Sequence, residues 1–423
     1  MTPTPKAGNI FTSEAPLGVW GGRLLMVSFF LPQTPQILAA MVPCLYFVIC
    51  SIRSKEPVPR SNYLWAFVIG SFYLLNILAF PLTPVEYTHF LGLLCQRRIT
   101  ILLMPVMFAI ITPYFRELIM GQILYFVYAC FVVCLAGNAD FLYHYFTGGV
   151  HTLSHVEYRV MFEEFTGIHP TYMGMFLCFA VCIMLLLYPA HDRKSSIVKY
   201  SLVYVLVVFL LALLAKSPLI ALVFICLHFA YISRKVLYRY KALIAGLLAA
   251  VVAAGYFIPF FGQRIKEIFQ FADKKGTVAD NSMYVRQEIW NVDTDLLKQH
   301  WLTGVGPGRM LHMLHERYFF YSISHRFPVG YYDPHNEYFD QWLSFGIIGI
   351  VLLLVVLVIH FIRSLRAKNH LYLYLLLLFS ITFFTETVLS RQRGVMFYAV
   401  FTSLFFFYPV RGRGTETRPL PPQ

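Results

Sequence analysis

Runs of about 17 or more apolar residues recur along the whole chain, and no other feature constrains its fold as strongly. A stretch of that length crosses the hydrocarbon core of a bilayer as an α-helix. Inside lipid the backbone finds no water, so a spanning segment must satisfy its own N–H and C=O groups, as a helix or in a closed barrel. A barrel is excluded, because its strands would read as alternating segments of about ten residues. Charged residues make up 13% of the chain and hydrophobic residues 58%, whereas a soluble domain carries about 25% charged residues. The sequence therefore reads as an all-α polytopic membrane protein.

Twelve spans are expected, at 18–32, 34–51, 62–80, 99–115, 118–137, 171–188, 198–214, 217–232, 241–258, 338–362, 370–388 and 394–409. Placing both termini in the cytoplasm puts most cations in the inner loops: Arg53, Lys55 and Arg60; Arg116; Arg193, Lys194 and Lys199; Arg234, Lys235, Arg239 and Lys241; Arg363, Arg366 and Lys368. The short outer loops hold Arg97, Arg98, Arg159, Lys216, Arg391 and Arg393. That asymmetry satisfies the positive-inside rule. The chain then divides into spans one to nine (1–258), a large outer loop (259–337), spans ten to twelve (338–409) and a Pro-rich tail (410–423) expected to be disordered. No internal repeat is visible. No cleavable signal peptide is expected, since the first apolar stretch follows a polar tail and lacks a small-residue cleavage site.

The net charge of +13 does not indicate nucleic acid, because the cations are scattered over many loops and form no stripe. Cytoplasmic loops and a site for an anionic substrate account for it better. The eight cysteines, at 44, 50, 95, 130, 134, 178, 182 and 226, sit almost entirely within apolar runs. That placement argues against a disulfide framework. Cys130/Cys134 and Cys178/Cys182 share helix faces, but no His or carboxylate is spaced with them, so they read as packed core and not as metal ligands.

The outer loop reads as mostly helical. "NSMYVRQEIWNVDTDLLKQHWL" carries Tyr284, Ile289, Trp290, Leu296 and Leu297 at near-helical spacing. "TGVGPGRM" interrupts it, and "HMLHERYFFYSISHRF" reads equally as helix or strand. Within the first of these, "DTD" (Asp293–Asp295) resembles the carboxylate pair of nucleotide-sugar transferases. Nucleotide sugars are cytoplasmic and this segment is outside by charge, so the pair is expected on a wet helix face.

On the outer side, or near it, stand Arg159, His169, Lys216, Arg264, Arg286, Arg309, His335, Glu386, Arg391 and Arg393. A charge at a span edge costs energy unless it is paired or faces water. Lys216 either snorkels to the interface or meets a substrate. Arg391 and Arg393 either pair Glu386 or serve a ligand, and Arg159 has the same choice with Glu157, Glu163 or Glu164. Together they form a cationic set suited to a phosphate or diphosphate. His335 is a candidate base, because an ordinary imidazole accepts a proton near neutral pH. It could equally wet a helix end, with Asp333 and Asn336 as capping residues.

"HNEYFDQWLSFGIIG" resembles the signature of the O-antigen ligase family: His335, Asn336, nine residues, Gly346, two residues, Gly349. "GIHPTYMG", "RQEIW…WLTGVGPG" and "ETVLSRQRGVMFY" look like the wider ligase and polymerase superfamily, so the resemblance spans roughly 155–410. It implies a metal-independent, cofactor-free glycosyltransferase of the Gram-negative inner membrane. Such an enzyme moves an O-antigen glycan from undecaprenyl diphosphate to lipid A–core oligosaccharide on the periplasmic face, with membrane lipids as its other partners. His335 would be the catalytic base. Arg159, Arg286, Lys216, Arg391, His169 and Asn336 would bind the diphosphate or substrate, although Lys216 stands where many relatives carry Arg. O-antigen polymerases and protein O-oligosaccharyltransferases are the nearest alternatives. A twelve-span transporter is the alternative from another class, but transporters are commonly built from repeated halves, which are not visible here.

Overall fold

The computed structural model describes residues 10–148, 155–189, 192–233, 282–325 and 332–408, and among them every extended regular element is a helix. In chain order these are α1 (Ile10–Val27), α2 (Gln33–Arg53), α3 (Arg60–Leu78), α4 (Thr88–Arg98), α5 (Thr100–Ile110), α6 (Pro113–Gly121), α7 (Leu124–Phe146), α8 (His155–Thr166), α9 (Pro170–Leu186) and α10 (Arg193–Leu213). There follow α11 (Lys216–Ile232), α12 (Ser282–His300), α13 (Met310–His325), α14 (Glu337–Arg366), α15 (His370–Thr382) and α16 (Gln392–Phe407).

Six helical runs among the described residues are long and apolar enough to cross a bilayer: 33–53, 60–82, 85–110, 113–146, 193–213 and 337–366. A seventh arises if α8 and α9, bent by 81°, form one broken span, and 16–30, α11 and α15 are shorter apolar helices. The chain is a multi-pass membrane protein. The ninth expected span (241–258), the tail (410–423) and Arg264 lie outside the described residues. Several boundaries differ from expectation, and two of them have a physical cause on view. The fourth span ends at Ile110, because Thr112 precedes Pro113 and is held extended. The eleventh was expected to run to 388, but α15 stops at Thr382. Beyond it the backbone bonds to α14 instead: Glu337 N donates to Phe383 O at 2.7 Å, and Leu389 N donates to Glu337 Oε2 at 2.7 Å.

The core centres on α16, buried continuously from Arg393 to Phe407, and on α9, buried from Pro170 to Met184. A helix apolar on every side belongs inside a bundle. Lipid is as apolar as leucine, so contact quality rather than escape from water holds such helices together. Edge-to-face pairs supply it: Phe176–Phe397 and Phe179–Phe401 both have ring centroids 4.9 Å apart, and each such pair adds about 0.5–1.5 kcal/mol. All eight cysteines are free, and Cys130, Cys134, Cys178 and Cys182 are buried packing residues as expected. At one end of the bundle, cations from expected inner loops cap helix carbonyls. Arg363 Nε donates to Phe406 O at 3.2 Å, Lys199 Nζ donates to Leu185 O at 2.9 Å, and Arg116 donates to Phe407 O.

Helices α12 and α13 build a small second core from Ile289, Leu296, Met310, Leu314 and Tyr318, which also takes in Leu343 of α14. The segment read as helix or strand is thus helical. The junction with α14 is made of backbone. Gly346 breaks α14 with φ +64° and ψ −151°, a region open essentially to glycine alone. The break frees peptide groups that 302–306 then satisfies: Val305 N donates to Leu343 O at 2.7 Å, Gly306 N donates to Ser344 O at 3.2 Å, and Ile347 N donates to Leu302 O at 3.2 Å. The wet-face expectation for "DTD" holds for Asp295, which is exposed and pairs Lys298 at 2.8 Å. It fails for Asp293, which is fully buried and accepts from Tyr318 Oη at 2.8 Å, because it faces α13.

Two outcomes are expected. A Cβ at Gly346 would stand 2.1 Å from Leu302 O, so Gly346→Ala should cost about 3 kcal/mol, read as a lowered melt in detergent. Gly92→Ala, where the new methyl meets nothing within 4 Å, is the control. Burial pushes the Asp293 carboxyl well above the usual range, the Tyr318 hydrogen bond opposing it. A raised carboxyl contributes its stability below the unfolded pKa, about 3.9, and loses it as pH rises towards the folded value. Asp293→Asn should therefore melt like the parent near pH 4 and above it at pH 8, and a constant difference across that range would contradict this.

Candidate functional site

The opposite end of the bundle gathers chain segments that are far apart in sequence. Asp333 to Asn336 lead into α14. Asp333 Oδ1 accepts from His335 N at 3.1 Å, and Asn336 Oδ1 caps α14 by accepting from Tyr338 N at 2.9 Å and Phe339 N at 3.2 Å. His335 sits between these two turns with φ +45°, a conformation that strains any residue with a Cβ. Trp290 of α12 holds it there by donating from Nε1 to Pro334 O at 3.2 Å.

This turn aims the imidazole at two carboxylates. His335 Nδ1 lies 3.6 Å from Asp333 Oδ1 and 3.6 Å from Glu386 Oε2. Both gaps are slightly long for hydrogen bonds but short for charge attraction. Arg286, one helical turn before Trp290, donates from Nε to Thr385 O at 3.2 Å and from Nη2 to Glu386 Oε1 at 3.4 Å. Arg391 Nη2 donates to Asp333 Oδ2 at 2.5 Å and is itself half exposed. Burial alone would push Glu386 up, but the pull of His335, followed by Arg286 and His169, brings it down to about 2. It is therefore an anion at any working pH.

His169 caps α9, its Nδ1 accepting from Thr171 N at 3.3 Å. Burial lowers its pKa, Glu386 and Glu163 oppose that, and Arg159 and Arg391 add to it. Arg159 on α8 lies within electrostatic reach of His169. The structure thus brings together His335, Arg286, Arg391 and His169 around Asp333 and Glu386, with Arg159 beside them. Lys216 begins α11 on a turn that packs against Gly174 of α9, where a Cβ would meet Ala215 Cβ at 2.6 Å. Arg309 lies by Tyr87, apart from the cluster. Asn336 takes the capping role that was open to it. Glu386 is paired by Arg286 and not by Arg391 or Arg393, because the turn after α15 carries its carboxylate towards α12. Arg393 instead donates to Phe29 O at 2.9 Å and Gly167 O at 2.8 Å.

Arg98 was expected in a short outer loop, but it is fully buried beneath the site. It donates to Asp340 Oδ2 at 2.7 Å, Ser390 Oγ at 2.6 Å, Leu389 O at 2.9 Å and Asn76 Oδ1 at 3.1 Å. Asp340 also accepts from Gln341 Nε2 at 2.8 Å, and Glu337 Oε1 accepts from the same amide at 2.6 Å. The acidic residues at the start of α14 therefore divide their work, with Asp333 at the site and Glu337 and Asp340 in its foundation. A sequence signal existed for Arg98, since "CQRR" places two arginines before an apolar run, but nothing in it marks which one turns inward.

Fold and site together define a multi-pass helical membrane protein with a histidine between two carboxylates, each of which also holds an arginine. Residues 200–354 match the family described as O-antigen ligase, and over this stretch the chain is similar to that family. The match is narrower than the expected 155–410. It includes Arg286, His335, Asn336, Gly346 and Gly349 but not Arg159, His169, Glu386 or Arg391. No curated protein matches the chain.

Removing Arg98 would strand the buried Asp340 carboxylate. Arg98→Ala should cost about 3–5 kcal/mol, read as a lost or strongly lowered melt, and Arg98→Ala with Asp340→Asn should recover part of it.

Proposed function

We propose that this protein is a glycosyltransferase of the O-antigen ligase type. It moves an O-antigen glycan from undecaprenyl diphosphate to lipid A–core oligosaccharide, at a site on the periplasmic face of the inner membrane. The observation that carries this reading is the shared use of Asp333 and Glu386: each stands 3.6 Å from His335 Nδ1 and each holds an arginine, Arg391 or Arg286.

The chemistry follows from that arrangement. With Nδ1 turned to the carboxylates, Nε2 is the ring atom left to meet an acceptor hydroxyl. His335 takes the hydroxyl proton through Nε2 as the oxygen attacks the anomeric carbon. Glu386, already ionised, and Asp333 stabilise the imidazolium that forms, the role a buried carboxylate plays behind a catalytic histidine. The bond from the anomeric carbon to the diphosphate oxygen breaks in the same displacement, inverting the centre. Negative charge grows on the leaving diphosphate, and preset cations lower the cost of that growth. Arg159 and Arg286 supply the clamp, with Arg391 in support and Lys216 at its edge. The carboxylates keep the guanidiniums in place before the donor arrives, so little reorganisation remains at the moment of reaction.

His335→Ala should abolish transfer with an unchanged melt. Glu386→Gln should slow it roughly 10²–10⁴-fold, measured as glycan transfer by purified protein. Parental rates in the Glu386→Gln variant would remove the carboxylate from the mechanism. In a strain lacking the gene, lipopolysaccharide ladders should vanish while glycan accumulates on its carrier. A single-repeat band would point to a polymerase instead, and movement of donor across liposomes without sugar transfer would point to a transporter.

A further inference from the structure

One buried polar group beside the site takes part in none of the interactions above. Tyr172 stands near the start of α9 and is 5% exposed. Its hydroxyl is sealed from solvent with no hydrogen-bond partner among the described residues. The ring is tightly placed: its Cε1 lies 2.9 Å from where a Cβ on Gly394 would stand, and His169 meets it edge-on with centroids 6.1 Å apart. The hydroxyl lies within electrostatic reach of Glu386, Arg391 and Asp333. A buried donor left unpaired destabilises the fold, so an unsatisfied group in a native structure calls for an explanation.

We infer that Tyr172 Oη is a hydrogen-bond donor to an anion bound in this site, which on the function proposed above is a phosphate oxygen of the lipid diphosphate. The chemistry favours a phenol here. A Lys or Arg in its place would pair with Glu386 and compete with His335 and Arg286 for the same carboxylate. A neutral O–H reaches the anion without discharging Glu386. As the sugar leaves, charge collects on the phosphate, and a donor already aimed at it strengthens its bond during the step. The glycine at 394 fits this role, because a side chain there would push the ring aside.

Tyr172→Phe tests the inference, since it keeps the ring and deletes only the hydroxyl. Two readouts are taken on purified, full-length protein in detergent: thermal protection by inorganic pyrophosphate, and steady-state transfer. The variant should melt at or slightly above the parent temperature, because it loses an unsatisfied group and no contact. Pyrophosphate should protect it less than the parent, and transfer should fall roughly 10–100-fold. Parental protection and parental transfer in the variant would overturn the inference. So would a lowered melt with unchanged protection, which would mark the hydroxyl as structural. If the parent is protected by pyrophosphate, and the variant is not, yet neither transfers sugar, the inference stands and the proposed reaction fails.

Discussion

The site depends on one buried ion pair, Arg98 with Asp340. Isolated charges inside a bundle are expensive, and a buried pair repays its desolvation only when the remaining donors and acceptors are also satisfied. Arg98 meets that condition through Asn76, Leu389 and Ser390. Those partners lie on α3 and on the turn after α15, while Asp340 lies on α14. The guanidinium therefore ties the segment carrying Glu386 and Arg391 to the helix start carrying Asp333 and His335. That tie, together with the bonds from Glu337, helps hold the two carboxylates at equal distance from one imidazole.

The carboxylates change how the arginines should be understood. Counted from sequence, the outer cations look like a bare positive surface. In the structure Arg286 and Arg391 are each engaged by an acid, so the site holds alternating charges. Two fixed anions offset Arg286 and Arg391, so a positive excess comes from Arg159, near His169, before the histidines are counted. An anion approaching the site meets mixed charge and not an open cationic patch. The site also couples the histidine to an arginine, because Glu386 lies 3.6 Å from His335 and 3.4 Å from Arg286.

The helical class, helix α12, the packing cysteines and the grouping of His335, Arg286 and Arg391 were legible in the sequence, because hydrophobic periodicity and residue chemistry report them directly. The deepest parts were not. Arg98 and Arg97 are adjacent arginines at the edge of an apolar run, and only the tertiary partners distinguish them. Glu386 was placed within a span, since "ITFFTET" contains neither proline nor glycine to end a helix; the end is imposed by bonds from Glu337 across the bundle. Asp293 and Asp295 read alike in the sequence, and only the packing of α12 on α13 turns Asp293 towards Tyr318. Each miss is a case of tertiary hydrogen bonding deciding what local pattern leaves open.

The broken helix at Gly346 has a mechanical consequence. Peptide groups on either side of the break are hydrogen-bonded to 302–306, and Trp290 and Arg286 of α12 grip the turn and the glutamate that flank the imidazole. The first turns of α14 are thus fastened to α12 and to the 302–306 segment as well as to the bundle, where Arg98 holds Asp340. The histidine sits where the two sets of contacts meet, and Gly346 is the seam. Exchange of this segment between relatives would have to cut beyond this glycine, because a graft that stopped short of it would part His335 from the helices that hold its turn.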